Sequence, residues 1–149
     1  MSYRSACMLA CVLLMTPALA VAKPACPPAV TDAAQKAYPS SKVTACKQET
    51  VKGKIQYEVK LTTKEAKQLE LDLSPEGSIL LTEETIAVDS IPQAVLTAFA
   101  AKYPKAKAAG ADKQTSPDGT VTYELAWKDA KGKHHEATFK DDGTFVEEE

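Results

Sequence analysis

Pro92-Gln93-Ala94-Val95-Leu96-Thr97-Ala98-Phe99-Ala100-Ala101-Lys102-Tyr103-Pro104 is the stretch whose reading decides the fold. Val95, Ala98, Phe99 and Tyr103 recur at helical spacing with Lys102 as the one polar interruption, so a short helix with a single apolar face is expected. Pro104 ends it, because the residue before a proline is steered out of the α region. The same plan stands 65 residues earlier, counted from Tyr103 to Tyr38, in Pro27, Ala29-Val30 and Tyr38-Pro39. There Val30, Ala33, Ala34, Ala37 and Tyr38 make the apolar stripe. Ser90 followed by Gln93 fits a capping box, and a proline just inside each start is tolerated because the first helical amides lack intrahelical partners.

After each helix the apolar period drops to two, the spacing of a half-buried strand. Ile55, Tyr57, Val59 and Leu61 alternate with Gln56, Glu58 and Lys60; Val121, Tyr123, Leu125 and Trp127 alternate with Thr122, Glu124, Ala126 and Lys128. Leu69, Leu71 and Leu73 then stand against Gln68, Glu70 and Asp72, and His135, Ala137 and Phe139 against His134, Glu136, Thr138 and Lys140. Residues 51–54, 74–77, 116–119 and 140–143 have hairpin-turn composition. Lys47-Gln48 lines up with Lys113-Gln114, Gly53 with Gly119, Tyr57-Glu58 with Tyr123-Glu124, Glu70 with Glu136, and Gly77 with Gly143. The spacing is now 66, as between Gly53 and Gly119, so one added residue is expected near residues 108–110.

The expected fold is α+β: tandem duplicated units, each a helix plus a four-stranded antiparallel sheet, with the helices packed on one sheet face. Residues 1–22 read as a signal peptide, 23–89 as the first repeat and 90–149 as the second. A unit of about 60 residues buries too little surface to be more than marginally stable alone, so the halves are expected to pack together or extend one another's sheet.

Pro-x-x-Val-x-x-Ala-Phe-x-x-x-Tyr-Pro from Pro92, the Tyr-Glu-Leu at 123–125, and Thr-Phe-x-x-Asp-Gly from Thr138 resemble the PepSY-like group of exported bacterial proteins, which is described as similar to the beta-lactamase inhibitor protein. The resemblance covers both copies and implies the tandem α-β4 fold. For function it implies noncatalytic modules that bind proteins and sometimes inhibit peptidases or other enzymes. Its motif consists of core and turn residues, so no inhibitory residue carries over.

The N-terminus sets the compartment. Arg4, an apolar run over residues 6–15, and small-x-small sites after Ala20 or Ala22 read as a cleaved secretory signal, too short to span a bilayer. A periplasmic or secreted protein without a membrane span is expected. Cys7 and Cys11 leave with the leader, and Cys26 and Cys46 remain where disulfides persist. An intramolecular bond between them is expected, with free thiols or pairing to another chain as the alternatives. The only arginine, Arg4, also departs, leaving 17 lysines against 20 acidic residues. Without a basic stripe or arginine, nucleic acid is not an expected partner.

No catalytic, metal or cofactor constellation emerges. His134 and His135 are adjacent strand residues and point to opposite faces, so they do not converge on one ion. Tyr57 and Tyr123 alternate into the core while Glu58 and Glu124 point out. The acidic run of Asp141, Asp142 and residues 147–149 reads as a solvated tail rather than a calcium site. The expected function is therefore a noncatalytic exported protein-binding module with another exported protein as its partner, and the resemblance implies that it is an inhibitor or modulator of an envelope or secreted enzyme such as a peptidase. The candidate surface is the sheet face away from the helices: Gln56, Glu58, Lys60, Glu70, Thr122, Glu124, Lys128, Glu136 and Lys140. The alternative is a structural or sensory envelope protein that binds a small ligand or metal ion.

Overall fold

The computed structural model describes residues 26–148; the expected signal peptide and its cleavage sites lie outside the described residues. Helix α1 (Pro28–Ala37) is followed by strands β1 (Lys42–Val51), β2 (Lys54–Thr62), β3 (Gln68–Leu73) and β4 (Ile79–Thr85). A 3₁₀ turn (Val88–Ser90) leads into α2 (Gln93–Lys102), followed by β5 (Gly110–Thr115), β6 (Val121–Lys128), β7 (His134–Lys140) and β8 (Phe145–Glu148). The eight strands form one antiparallel sheet in chain order. Its two halves are stitched by β4 and β5, where Thr82, Glu83, Glu84 and Thr85 pair with Thr115, Gln114, Lys113 and Asp112. The fold class is α+β, with a continuous sheet rather than two separate ones.

Both helices end as the prolines require, the Tyr38 amide donating to the Ala34 carbonyl (3.0 Å) and the Tyr103 amide to that of Phe99 (2.8 Å). Their starts differ in part from expectation, since a proline, Pro28, does stand just inside α1. Pro27 and Pro92 are themselves the N-caps, with extended ψ of 143° and 138°, and neither cap has a side-chain hydrogen bond. The capping box does not form, because it needs the serine at the cap and Ser90 closes the preceding 3₁₀ turn. Val30 and Ala34 are buried, but Ala37 is exposed; Tyr38, which leaves the helical path, covers the core at that end instead.

The alternation of β2, β3, β6 and β7 places their apolar side chains under the helices. Leu61 lies opposite Leu69, Val59 opposite Leu71 and Tyr57 opposite Leu73; Trp127, Leu125 and Tyr123 face His135, Ala137 and Phe139 in the same way. Two cores result, an aliphatic one around Val30, Val59, Leu61, Leu71 and Leu73, and an aromatic one around Val95, Phe99, Leu125, Trp127 and Phe139. Leu61 and Trp127 occupy equivalent buried positions, as do Leu73 and Phe139. Ile55, expected inward, is exposed, because the β1–β2 hairpin runs past β3, whose pairing with β2 reaches only Tyr57.

The register also corrects the alignment of the two halves. Gln48 lies opposite Tyr57 on the helix side, whereas the residue opposite Tyr123 is Lys113, so Gln48 corresponds to Lys113 and not to Gln114. A bulge between Val43 and Ala45 cancels the residue added before the strand, and a second addition falls in the turn after it. A shift of one residue in a strand moves every side chain to the other face, so the shared Lys-Gln is a coincidence of letters.

Cys26 and Cys46 form a disulfide, with Cα atoms 5.9 Å apart, tying the entry of α1 to the helix side of β1. Closing a loop of this size restricts the unfolded chain by roughly 3 kcal/mol. Reduction of purified protein is therefore expected to add two protons by mass and to lower the urea midpoint by that equivalent. An unchanged midpoint after complete reduction would show that the bond stabilises nothing.

Candidate functional site

The face opposite the helices is polar because each strand's second residue set must point away from the core. Eight strands laid flat would set β1 and β8 about 34 Å apart, seven spacings of ~4.8 Å. Yet Lys52, at the tip of the β1–β2 hairpin, lies 3.6 Å from Glu147 on β8. The sheet is thus curled, and its open face is a concave groove of about 1010 Å³.

Of the nine expected residues, Gln56, Glu58, Lys60, Glu70, Thr122, Glu124 and Glu136 line this groove. Lys128 and Lys140 share the face by register, opposite His134 and Thr122, but lie outside the groove lining. Lys60 anchors one cluster, with Nζ 2.8 Å from Glu70 and 3.2 Å from Glu58. The hydrogen bond to Glu70 is the main reason its ammonium is held above its ordinary range.

Sequence reasoning missed the floor of the groove. Gln114 is buried at the joint, its Nε2 donating to Glu83 on β4 (2.7 Å) and Glu124 on β6 (3.2 Å), while its Oε1 accepts from the Thr122 hydroxyl (3.0 Å). Asp72, Glu83, Asp112, Thr138 and Glu147 also line it. Asp72 was legible from the alternation of β3. Glu83 was not, since Leu80-Leu81-Thr82-Glu83-Glu84 has no period of two, and its neighbours come from the pairing of the two halves.

Crowding shows in the carboxylates. Burial, then the nearby Glu70, Glu49 and Glu58, pushes Asp72 up to about 6. Burial pushes Glu83 up to about 7; the Gln114 hydrogen bond opposes this, while Glu70, Asp72 and Asp112 add repulsion. Both acids thus titrate above their unfolded values near 4, so the native state binds more protons than the unfolded chain between about pH 4 and 7. Their contribution to stability falls as pH rises through that window. Below about pH 4 the sign reverses, because Asp118, Asp129 and Asp142, held low chiefly by hydrogen bonds from Thr120, Lys133 and Thr144, must protonate. Stability is expected to peak near pH 4, where the sign changes, and to drop by about 1–2 kcal/mol by pH 8, allowing for solvent screening of these half-exposed groups. Urea midpoints across pH check this; an Asp72→Asn/Glu83→Gln variant that keeps the full drop would contradict it.

His134 and His135 do lie on opposite faces. His134 is on the open face, 3.6 Å from Glu136; His135 stacks on Trp127 (centroids 5.3 Å apart), 3.5 Å from Asp129 and 3.8 Å from Glu148. Among the described residues no group of three or more His, Cys, Asp or Glu side chains is placed to hold a metal ion. No described helix is long and apolar enough to cross a membrane.

Among solved structures, the chain is similar to a "putative periplasmic" protein from Bacteroides eggerthii, with a TM-score of 0.66, 16% identity, and coverage of 85% of this chain and 89% of that one. A DUF2874 family protein from Bacteroides uniformis gives 0.65 at 16% identity over 83% and 88% of the two chains. A BLIP-like protein from Bacteroides fragilis gives 0.58 at 23% identity over 81% and 83%. At these identities the likeness carries the fold alone. No curated protein matches the sequence. A family model described as "Putative beta-lactamase-inhibitor-like, PepSY-like" matches residues 15–81 and again 80–147, so the chain belongs to the PepSY-like family.

Proposed function

We propose that this chain is a noncatalytic periplasmic binding protein, built of two α-β4 repeats, whose concave sheet face engages another exported protein and modulates it, as an inhibitor of an envelope enzyme would. The observation that carries this reading is the division of the sheet: both cores lie on the helix side, and the opposite face is left as a polar groove contributed by both halves. The family description and the periplasmic and BLIP-like neighbours fit an exported protein-binding role.

Reversing charge at equivalent sites of both halves, Glu58→Lys with Glu124→Lys, is expected to abolish capture of the partner from an envelope extract while circular dichroism stays unchanged. These side chains point away from the cores, so the fold tolerates the change. Lys36→Glu and Lys102→Glu, on exposed helix positions, should leave capture intact. Capture that survives the double reversal would exclude the sheet face.

A further inference from the structure

We propose that the groove receives a basic, extended polypeptide segment, with arginine or lysine side chains set against the carboxylates of β3 to β5 and apolar side chains against the rim. The proposal rests on the open face being the interface and adds the chemistry of what enters it. Charge is the first reason. Nine carboxylates and two lysines line the groove. One of those lysines, Lys60, is held by Glu58 and Glu70, and the other, Lys52, by Glu147. Asp72, Glu83 and Asp112 form no salt bridge among the described residues; their partners are the neutral Gln56, Gln114 and Thr85. Burial is the main reason Glu83 is raised, with repulsion from Glu70, Asp72 and Asp112 adding to it, and a cation brought among them relieves that repulsion.

Thr138 is the second reason. It is only 6% exposed and lines the groove, yet its hydroxyl makes no hydrogen bond to any described residue. No buried polar side-chain atom among the described residues lacks a partner, so this hydroxyl is open to the groove rather than sealed in, and a peptide amide or carbonyl can bond to it there. The rim is the third. Val51, Leu80 and Val146 line the groove while 39%, 43% and 44% exposed. A small polyamine would leave these aliphatic groups bare, whereas an extended peptide offers alternating polar and apolar side chains.

The test is fluorescence anisotropy at pH 8 and low salt with a labelled decapeptide of alternating arginine and leucine, its glutamate–leucine counterpart, and spermidine as competitor. The arginine peptide is expected to bind at least about tenfold more tightly than the glutamate peptide. Asp72→Asn with Glu83→Gln should weaken it about tenfold at unchanged circular dichroism, while Lys113→Gln, on the helix side, should not. Equal binding of the two peptides, binding of neither, or unchanged binding by the double variant overturns the proposal. Displacement by equimolar spermidine assigns the groove to small polyamines and overturns it as well. The failures are separable: if charge reversal at Glu58 and Glu124 abolishes partner capture but the arginine peptide does not bind, the face stands as the interface and only the basic partner is wrong.

Discussion

Trp127→Ala is expected to destabilise the protein by about 3–5 kcal/mol, the usual loss for truncating a buried aromatic side chain. Trp127 is 5% exposed and touches three other rings: Phe99 edge-on at 5.3 Å, Tyr103 at 4.5 Å and His135 stacked at 5.3 Å between centroids. Removing the indole leaves a cavity that these rings cannot close without abandoning α2, the β6–β7 pairing, or both. Trp127→Phe should recover more than half of the loss, because much of the volume and ring contact returns. Urea denaturation followed by far-UV circular dichroism measures both variants, since Trp127 is the only tryptophan and its fluorescence vanishes with it. A loss below about 1 kcal/mol for the alanine variant would place the side chain outside the core.

Gly143→Ala and Gly77→Ala should each cost about 2–4 kcal/mol, while Gly119→Ala should cost roughly 1 kcal/mol. All three glycines have positive φ, +87°, +86° and +84°, so the backbone penalty is common to them. The surroundings differ. A Cβ on Gly143 would stand 2.7 Å from the Ala94 carbonyl oxygen and one on Gly77 2.5 Å from that of Ala29, whereas Gly119 has nothing within 4 Å. The hairpin turns after β3 and β7 press directly on the first turns of α1 and α2, and a methyl group would lift the helix off the sheet. Thermal melts of the three variants isolate the contact. Equal losses at all three would mean that turn geometry alone matters and that the close approach contributes nothing.

Those glycines show how the reading of the sequence and the structure divide. Their repetition was visible as letters, Gly77 with Gly143, and turn composition accounted for positive φ. Their contact with the helices was not visible, since it depends on how close α1 and α2 lie to the turns. Likewise the Lys-Gln pairs matched by letter yet fall on opposite faces, because a bulge in one half shifts the register by a single residue. Such a bulge leaves no composition signal in β1, whose residues do not alternate cleanly. The capping box failed for a related reason: the spacing was right, but proline and not serine took the cap.

Local chemistry thus settled the helices, the helix stops at Tyr-Pro, the strands with a period of two, and which side chains of β2, β3, β6 and β7 point inward, Ile55 excepted. Each depends on neighbours within one or two turns, or on alternation along a single strand, so a linear chain displays it. Continuity of the sheet, its curl, and the gathering of Asp72, Glu83, Asp112, Gln114 and Thr138 into one groove were decided only by tertiary structure. These residues meet because β4 pairs with β5, and Lys52 meets Glu147 because eight strands bend toward one another. Pairing between halves and curvature are properties of all the strands together, set by packing over two cores rather than by any segment's own pattern.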